Sequence, residues 1–96
     1  MEIKISSQKF ELTEALKQHI NKKISKLDRY ESFFTLAEVH IEVEKYRNIA
    51  RILIKGGGGE QIFSEVIDKD SMYKAIDLCA QKIEKQIIQS KKHPNK

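Results

Sequence analysis

The sequence predicts an α+β fold of order β-α-β-β-β-α, with a four-stranded, mainly antiparallel sheet and two helices packed on one of its faces. Three observations carry this prediction. Apolar and polar residues alternate with period two in separate short segments, as a sheet wet on one side requires. Two longer segments space their apolar residues at three and four, as helices that bury one stripe do. Turn-forming residues fall between these segments, most plainly the run Gly56–Gly59.

Glu2-Ile3-Lys4-Ile5-Ser6 alternates and reads as the first strand. Thr13 is a helix cap, with Leu12 before it as one arm of a hydrophobic staple. Leu16, Ile20, Ile24 and Leu27 then share one stripe, which predicts a helix over about 13–30. Residues 31–35 read as a short connection whose aromatics, Phe33 and Phe34, close the end of the core. Ala37, Val39, Ile41 and Val43 alternate with Glu38, His40, Glu42 and Glu44 in a second strand. A turn near Lys45–Asn48 leads to a third, where Ala50, Ile52 and Ile54 face one way and Arg51, Leu53 and Lys55 the other. Gly56–Gly59 reads as a hairpin tip and about 61–67 as a fourth strand. Either Ile62 and Val66 or Phe63 and Ile67 face inward there. Asp70 or Ser71 caps a second helix, whose stripe is Met72, Ile76, Cys79, Ala80, Ile83 and Ile87. Pro94 lies past the last periodic position, so about 91–96 is expected to be a flexible basic tail on a single domain spanning 1–96.

Charge narrows the function. The 96 residues are 33% charged and 40% hydrophobic, a balance expected of a soluble globule, and the net charge is +4. Residues 13–30 sum to +3 and 71–96 to +4, leaving −3 elsewhere. Two basic segments on an otherwise acidic chain point to a polyanion on one side. The plain alternative is two solvated helix faces. No apolar run reaches the roughly 20 residues that cross a bilayer, and MEIKIS lacks the layout of a secretory signal. One cysteine permits no internal disulfide and suits the reducing cytoplasm.

On a helical wheel of about 100° per residue, Lys22, Lys26 and Arg29 share one flank of the first helix. Lys23 falls near the centre of the apolar stripe and must either snorkel to an edge or lie where the stripe reopens toward solvent. On the second helix Lys74, Lys85 and Lys92 line an exposed face beside Lys82 and Gln89. Helices packed side by side would join these lysines into one basic surface, suited to shape-led binding of folded RNA. Rival signals are weaker. The glycine run lacks the Gly-Lys-Ser/Thr of a phosphate cradle. His19, His40 and His93 are scattered and give no metal-ligand spacing, so no metal or cofactor is expected. Cys79 sits on an apolar stripe, which favours a structural thiol over a nucleophile. No catalytic constellation emerges, and an enzyme is not expected.

Particular residues then carry a family resemblance. Leu12-Thr13-Glu14-Ala15-Leu16, with Lys23, Lys26-Leu27-Asp28 and Tyr30, resembles the first helix of the ribosome hibernation promoting factor family, also described as ribosome-associated translation inhibitors or sigma-54 modulation proteins. Val43-Glu44-Lys45 resembles the end of its second strand. Asp70-Ser71-Met72-Tyr73-Lys74-Ala75-Ile76-Asp77 resembles its Asp-Met-Tyr-Ala-Ala-Ile-Asp signature, and Lys82 and Lys85-Gln86-Ile87 continue the likeness. The resemblance covers nearly the whole chain. Departures are the longer glycine hairpin, Ser71 and Lys74 within the signature, and Gln89-Ser90 where relatives are often more basic.

The resemblance implies a fold similar to double-stranded-RNA-binding domains and a bacterial, cytoplasmic factor that is monomeric off the ribosome. Such a factor occupies the messenger and transfer RNA channel of the small ribosomal subunit, contacts ribosomal RNA, and silences translation under stress or in stationary phase. Long members add a domain that pairs ribosomes. This chain looks like the short type, which in some bacteria assists dimerisation together with a ribosome modulation factor. Residue by residue, Lys23, Lys26, Lys82 and Lys85 match basic family positions and are expected on RNA phosphates. Lys22, Arg29, Lys91 and Lys92 join them on charge geometry. The signature's Tyr73 is expected either to pack against the sheet or to stack on RNA. Competing expectations are a generic structured-RNA-binding domain and a protein-interaction module that modulates transcription.

Overall fold

The computed structural model describes residues 1–30 and 34–91, the side chains of 90 and 91 excepted. The order is strand β1 (Glu2–Gln8), helix α1 (Glu14–Ser25), a 3₁₀ turn (Lys26–Arg29), strands β2 (Phe34–Glu44), β3 (Arg47–Gly56) and β4 (Gln61–Asp68), and helix α2 (Met72–Lys91). The strands lie side by side in the order β1-β2-β3-β4. β2, β3 and β4 are antiparallel neighbours, whereas β1 runs parallel to β2. Parallel neighbours need a crossover, and α1 supplies it.

Both helices bury their stripes on the same sheet face. Leu16, Ile20, Ile24 and Leu27 meet Met72, Ile76, Cys79, Ile83 and Ile87 over Ala37, Val39, Ile41, Ala50, Ile52 and Ile54. Each Leu, Ile, Val or Met side chain among them contributes about 1.5–3 kcal/mol when taken from water. β4 settles its register with Val66 and Ser64 buried and Ile62 partly so, leaving Phe63 52% and Ile67 46% exposed. The small residues decide it: Ser64 Oγ donates to the Cys79 carbonyl at 2.9 Å, a place Phe63 could not fill.

The helix ends are built locally. Thr13 Oγ1 accepts the Leu16 amide at 3.2 Å, and Leu12 lies against the core. Ser71, rather than Asp70, caps α2: its Oγ accepts the Tyr73 amide at 3.1 Å and the Lys74 amide at 3.4 Å. The carboxylate of Asp68 accepts the Asp70 and Ser71 amides, each at 2.9 Å, and so steers the chain out of β4.

Five boundaries differ from expectation. The first helix tightens into a 3₁₀ turn over its last residues, which keeps Leu27 in the core. Phe34 and Thr35 belong to β2 rather than to a connection; Phe34 is buried, while Phe33 lies outside the described residues. The turn after β2 is only Lys45 and Tyr46, both at positive φ (51° and 65°), so Arg47 and Asn48 already pair in β3. That two-residue geometry matches strand twist but normally takes Asn-Gly. Gly59, at φ 93°, occupies the left-handed region in the second hairpin, where Gly56 already ends β3. Finally, Lys91 closes α2, and the rest of the expected tail lies outside the described residues.

Candidate nucleic-acid interface

The interface is built where α1 and the 3₁₀ turn run beside α2. Lys23 precedes the fully buried Ile24, so its backbone sits near the core and its half-buried side chain reaches into the seam between helices. The 3₁₀ turn places Lys26 and Arg29 on the same border. Lys23, Lys26 and Arg29 form one wall of a groove of about 240 Å³; Asp77, Gln81 and Glu84 of α2 form the other. Lys22 is exposed and does not line this groove.

The seam is held by polar contacts that sequence reasoning missed. His19 Nε2 donates to Asp77 Oδ1 at 2.6 Å, and Lys23 Nζ lies 3.8 Å from the same oxygen. The Tyr30 hydroxyl donates to Glu84, and Arg29 Nη2 lies 3.6 Å from that carboxylate. Arg29 Nη2 also donates to the Tyr30 oxygen at 3.2 Å, with the guanidinium 5.1 Å from the ring centroid. The bond to Tyr30 first, and Glu84 second, hold Arg29 above its ordinary pKa. His19 and Asp77 flank Ile20 and Ile76 of the two stripes, which is the signal that could have found them. Which flank faces which is a matter of packing.

Tyr73 is partly exposed and packs on a neighbouring helix. Its ring meets His19 edge-on at 4.9 Å and 72°, extending the seam toward the start of α2. Lys74 is exposed, yet its Nζ lies 4.0 Å from Asp68 and 3.9 Å from Asp70, which offset its charge.

Lys82 and Lys85 occupy the opposite flank of α2. They line a second groove, about 410 Å³, floored by Val66, Ile67 and Leu78 at the edge of β4. Lys82 Nζ also donates to the Glu65 carbonyl at 3.4 Å. Gln81 lines both grooves, so the expected single basic surface is two cationic groups on either side of the α2 crest. The Lys91 side chain and the whole of Lys92 lie outside the described residues.

Rival chemistry is accounted for structurally. Cys79 is fully buried, its Sγ 2.9 Å from Ser64 Oγ, and burial pushes its thiol up from 9.0. No group of three metal-ligating side chains occurs among the described residues, and no described helix is long and apolar enough to cross a membrane. On the open sheet face Ser6 Oγ lies 2.8 Å from His40 Nδ1, and His40 Nε2 lies 3.2 Å from Glu42 Oε1. Glu42 accepts Arg51 Nη1 at 3.0 Å, which is the main cause holding its carboxyl below the usual 4.5. Its charge is committed to Arg51, and Ser6, His40, Glu42 and Arg51 read as a cross-strand tie.

Fold and groove together define a two-helix, single-sheet domain that offers cations in a seam between its helices. The sequence pattern of the sigma 54 modulation protein / S30EA ribosomal protein family matches residues 3–94, and the chain belongs to that family. It is 32% identical to a ribosome hibernation promoting factor of Azotobacter vinelandii over 91 residues, 95% of this chain and 83% of that protein. It is 30% identical to the ribosome hibernation promotion factor of Bacillus subtilis across its full length, but spans only 51% of that protein. Among solved structures, the N-terminal domain of Thermus thermophilus Protein Y superposes with a TM-score of 0.83 at 29% identity, covering 94% of this chain and 99% of that one. A ribosomal subunit interface protein from Coxiella burnetii has the same fold, with a TM-score of 0.85 at 24% identity over 95% and 98% of the two chains.

Proposed function

We propose that this chain is a cytoplasmic ribosome hibernation factor: it occupies the messenger and transfer RNA channel of the small subunit and silences translation by occupancy, with no bond broken. The observation that carries the reading is the convergence of Lys23, Lys26 and Arg29 on one groove of a domain whose relatives bear that name. Point charges set in a rigid seam bind phosphates of a shaped RNA without reading its bases. Lys82 and Lys85 supply a second set of phosphate contacts across the α2 crest, and Lys22, Lys91 and Lys92 extend the field. The domain is monomeric off the ribosome, and it assists ribosome pairing where a ribosome modulation factor is present.

A generic duplex-RNA binder fits less well. Such a domain needs a basic start to its second helix, whereas here Lys74 is offset by Asp68 and Asp70. Co-sedimentation with separated ribosomal subunits, at low and moderate salt, tests the proposal. The expected result is stoichiometric, salt-sensitive binding to the small subunit, lost when messenger and transfer RNA fill the channel. Binding to RNA polymerase but not to ribosomes would move the assignment to transcription; binding to neither would leave only the fold.

A further inference from the structure

The cationic groove has an acidic wall, which an RNA site has no evident need of. Asp77 engages Lys23 at 3.8 Å and His19 at 2.6 Å, and Glu84 engages Arg29 at 3.6 Å together with Tyr30. Neither carboxylate is required to satisfy a buried cation: the Arg29 side chain is 67% exposed and that of Lys23 32%. Both are half-exposed themselves, each side chain at 35%. Seven residues apart on one helix, they stand about 10 Å from each other along its axis. Lys26, on the same border, has no ion-pair partner among the described residues.

We propose that Asp77 and Glu84 set the RNA specificity of this groove, holding Lys23 and Arg29 until two phosphates, fixed at the matching separation by a folded RNA, displace them together. This rests on the reading of the groove as a ribosomal RNA site. The carboxylates are internal stand-ins for phosphate. A flexible strand must break the two ion pairs, meet two like charges and order itself, so it gains little from the groove. A rigid RNA backbone presents both phosphates already spaced and recovers both cations at once. His19 and Tyr30 then keep hydrogen bonds to the released carboxylates, so the seam does not come apart when RNA arrives. Specificity arises from what the acidic wall rejects, a role that attractive lysines alone cannot fill.

The test compares Asp77→Asn/Glu84→Gln with the native protein. The amides keep acceptors for His19 and Tyr30 but lose both charges. Affinity is measured for small ribosomal subunits, for a single-stranded uridine oligonucleotide and for a plain RNA duplex. A matched control, Glu38→Gln/Glu44→Gln, removes two carboxylates that pair Lys55 and Arg47 at 3.5 and 3.6 Å, away from the groove. The expected result is about a tenfold gain for oligonucleotide and duplex, less than threefold change for subunits, and little change in the control. An equal gain in both double variants would show net charge alone and overturn the proposal. So would unchanged selectivity, or a loss toward every RNA, which would make the carboxylates positioning groups. If the double variant unfolds early in urea, the single variants carry the same comparison, each with part of the gain. Failure of the native protein to bind subunits defeats the underlying reading instead, and is seen before any variant is compared.

Discussion

The helix side and the open sheet side of this domain both tie cations to carboxylates, in opposite proportions. On the open side Arg51 is bracketed by Glu65 at 2.6 Å and Glu42 at 3.0 Å, so one cation meets two anions. In the seam three cations, Lys23, Lys26 and Arg29, face two anions, Asp77 and Glu84. The same ion-pair chemistry thus closes one side and leaves the other with charge to offer. Exposed pairs contribute little stability in either place. Their difference lies in charge balance: the seam keeps a surplus cation where the ties around Arg51 keep a surplus anion.

The comparison breaks most visibly in the layers beneath the charges. Ile52 and Leu53 are neighbours in β3 on opposite faces, Ile52 fully buried and Leu53 only partly. Ile52→Ala should cost about 2–5 kcal/mol by urea unfolding, Leu53→Ala distinctly less, because only the covered face leaves a cavity. Equal losses would show that the open face is packed as tightly as the core. The charges come next. Lys23→Ala/Lys26→Ala should weaken small-subunit binding about tenfold and lower the salt slope by about one for each phosphate no longer neutralised, while Arg51→Ala leaves that slope unchanged.

Titration separates the sides more finely. Cys79 is raised by burial, so the folded state holds a proton that the unfolded thiol releases above its ordinary 9.0. Its contribution is full below pH 9 and is lost as pH climbs from there toward the raised folded value. Urea midpoints of the native protein should therefore fall faster than those of Cys79→Ala between pH 9 and 10. Glu42 is depressed, chiefly by Arg51, so its contribution is present above 4.5 and fades as pH falls below it. Glu42→Gln should flatten that acid-side loss slightly, the smallest of these effects because the partly buried carboxylate still borders the open face and is screened by water. Midpoints that fall in parallel would remove the contrast.

Much of this was legible along the chain because periodicity survives without neighbours. Leu16, Ile20, Ile24 and Leu27 mark one helix, and Ala37, Val39 and Ile41 one strand face, in any arrangement that buries them. The Lys45-Tyr46 turn was harder to bound, since neither residue is one that positive φ selects. The register of β4 was ambiguous because Ile62, Phe63, Val66 and Ile67 offer an apolar pair on either face. Apart from Lys23, which falls on the apolar stripe, the cationic positions were readable as exposed, yet their grouping was not. Lys82 and Lys85 turn toward β4, and Lys74 is drawn to Asp68 and Asp70.

The sequence by itself determined the element order, the two stripes, the covered and wet faces of β2 and β3, and the surplus of positive charge on the helices. These depend on spacing within one element, and the chain carries that spacing with it. Only the tertiary structure decided that β1 lies parallel to β2, that His19 meets Asp77 and Tyr30 meets Glu84, and that the lysines divide across Gln81. Those contacts join residues 54 and 58 positions apart, whose meeting is fixed by how two helices settle on one sheet. No local pattern encodes that choice; side-chain volumes packed across the seam do.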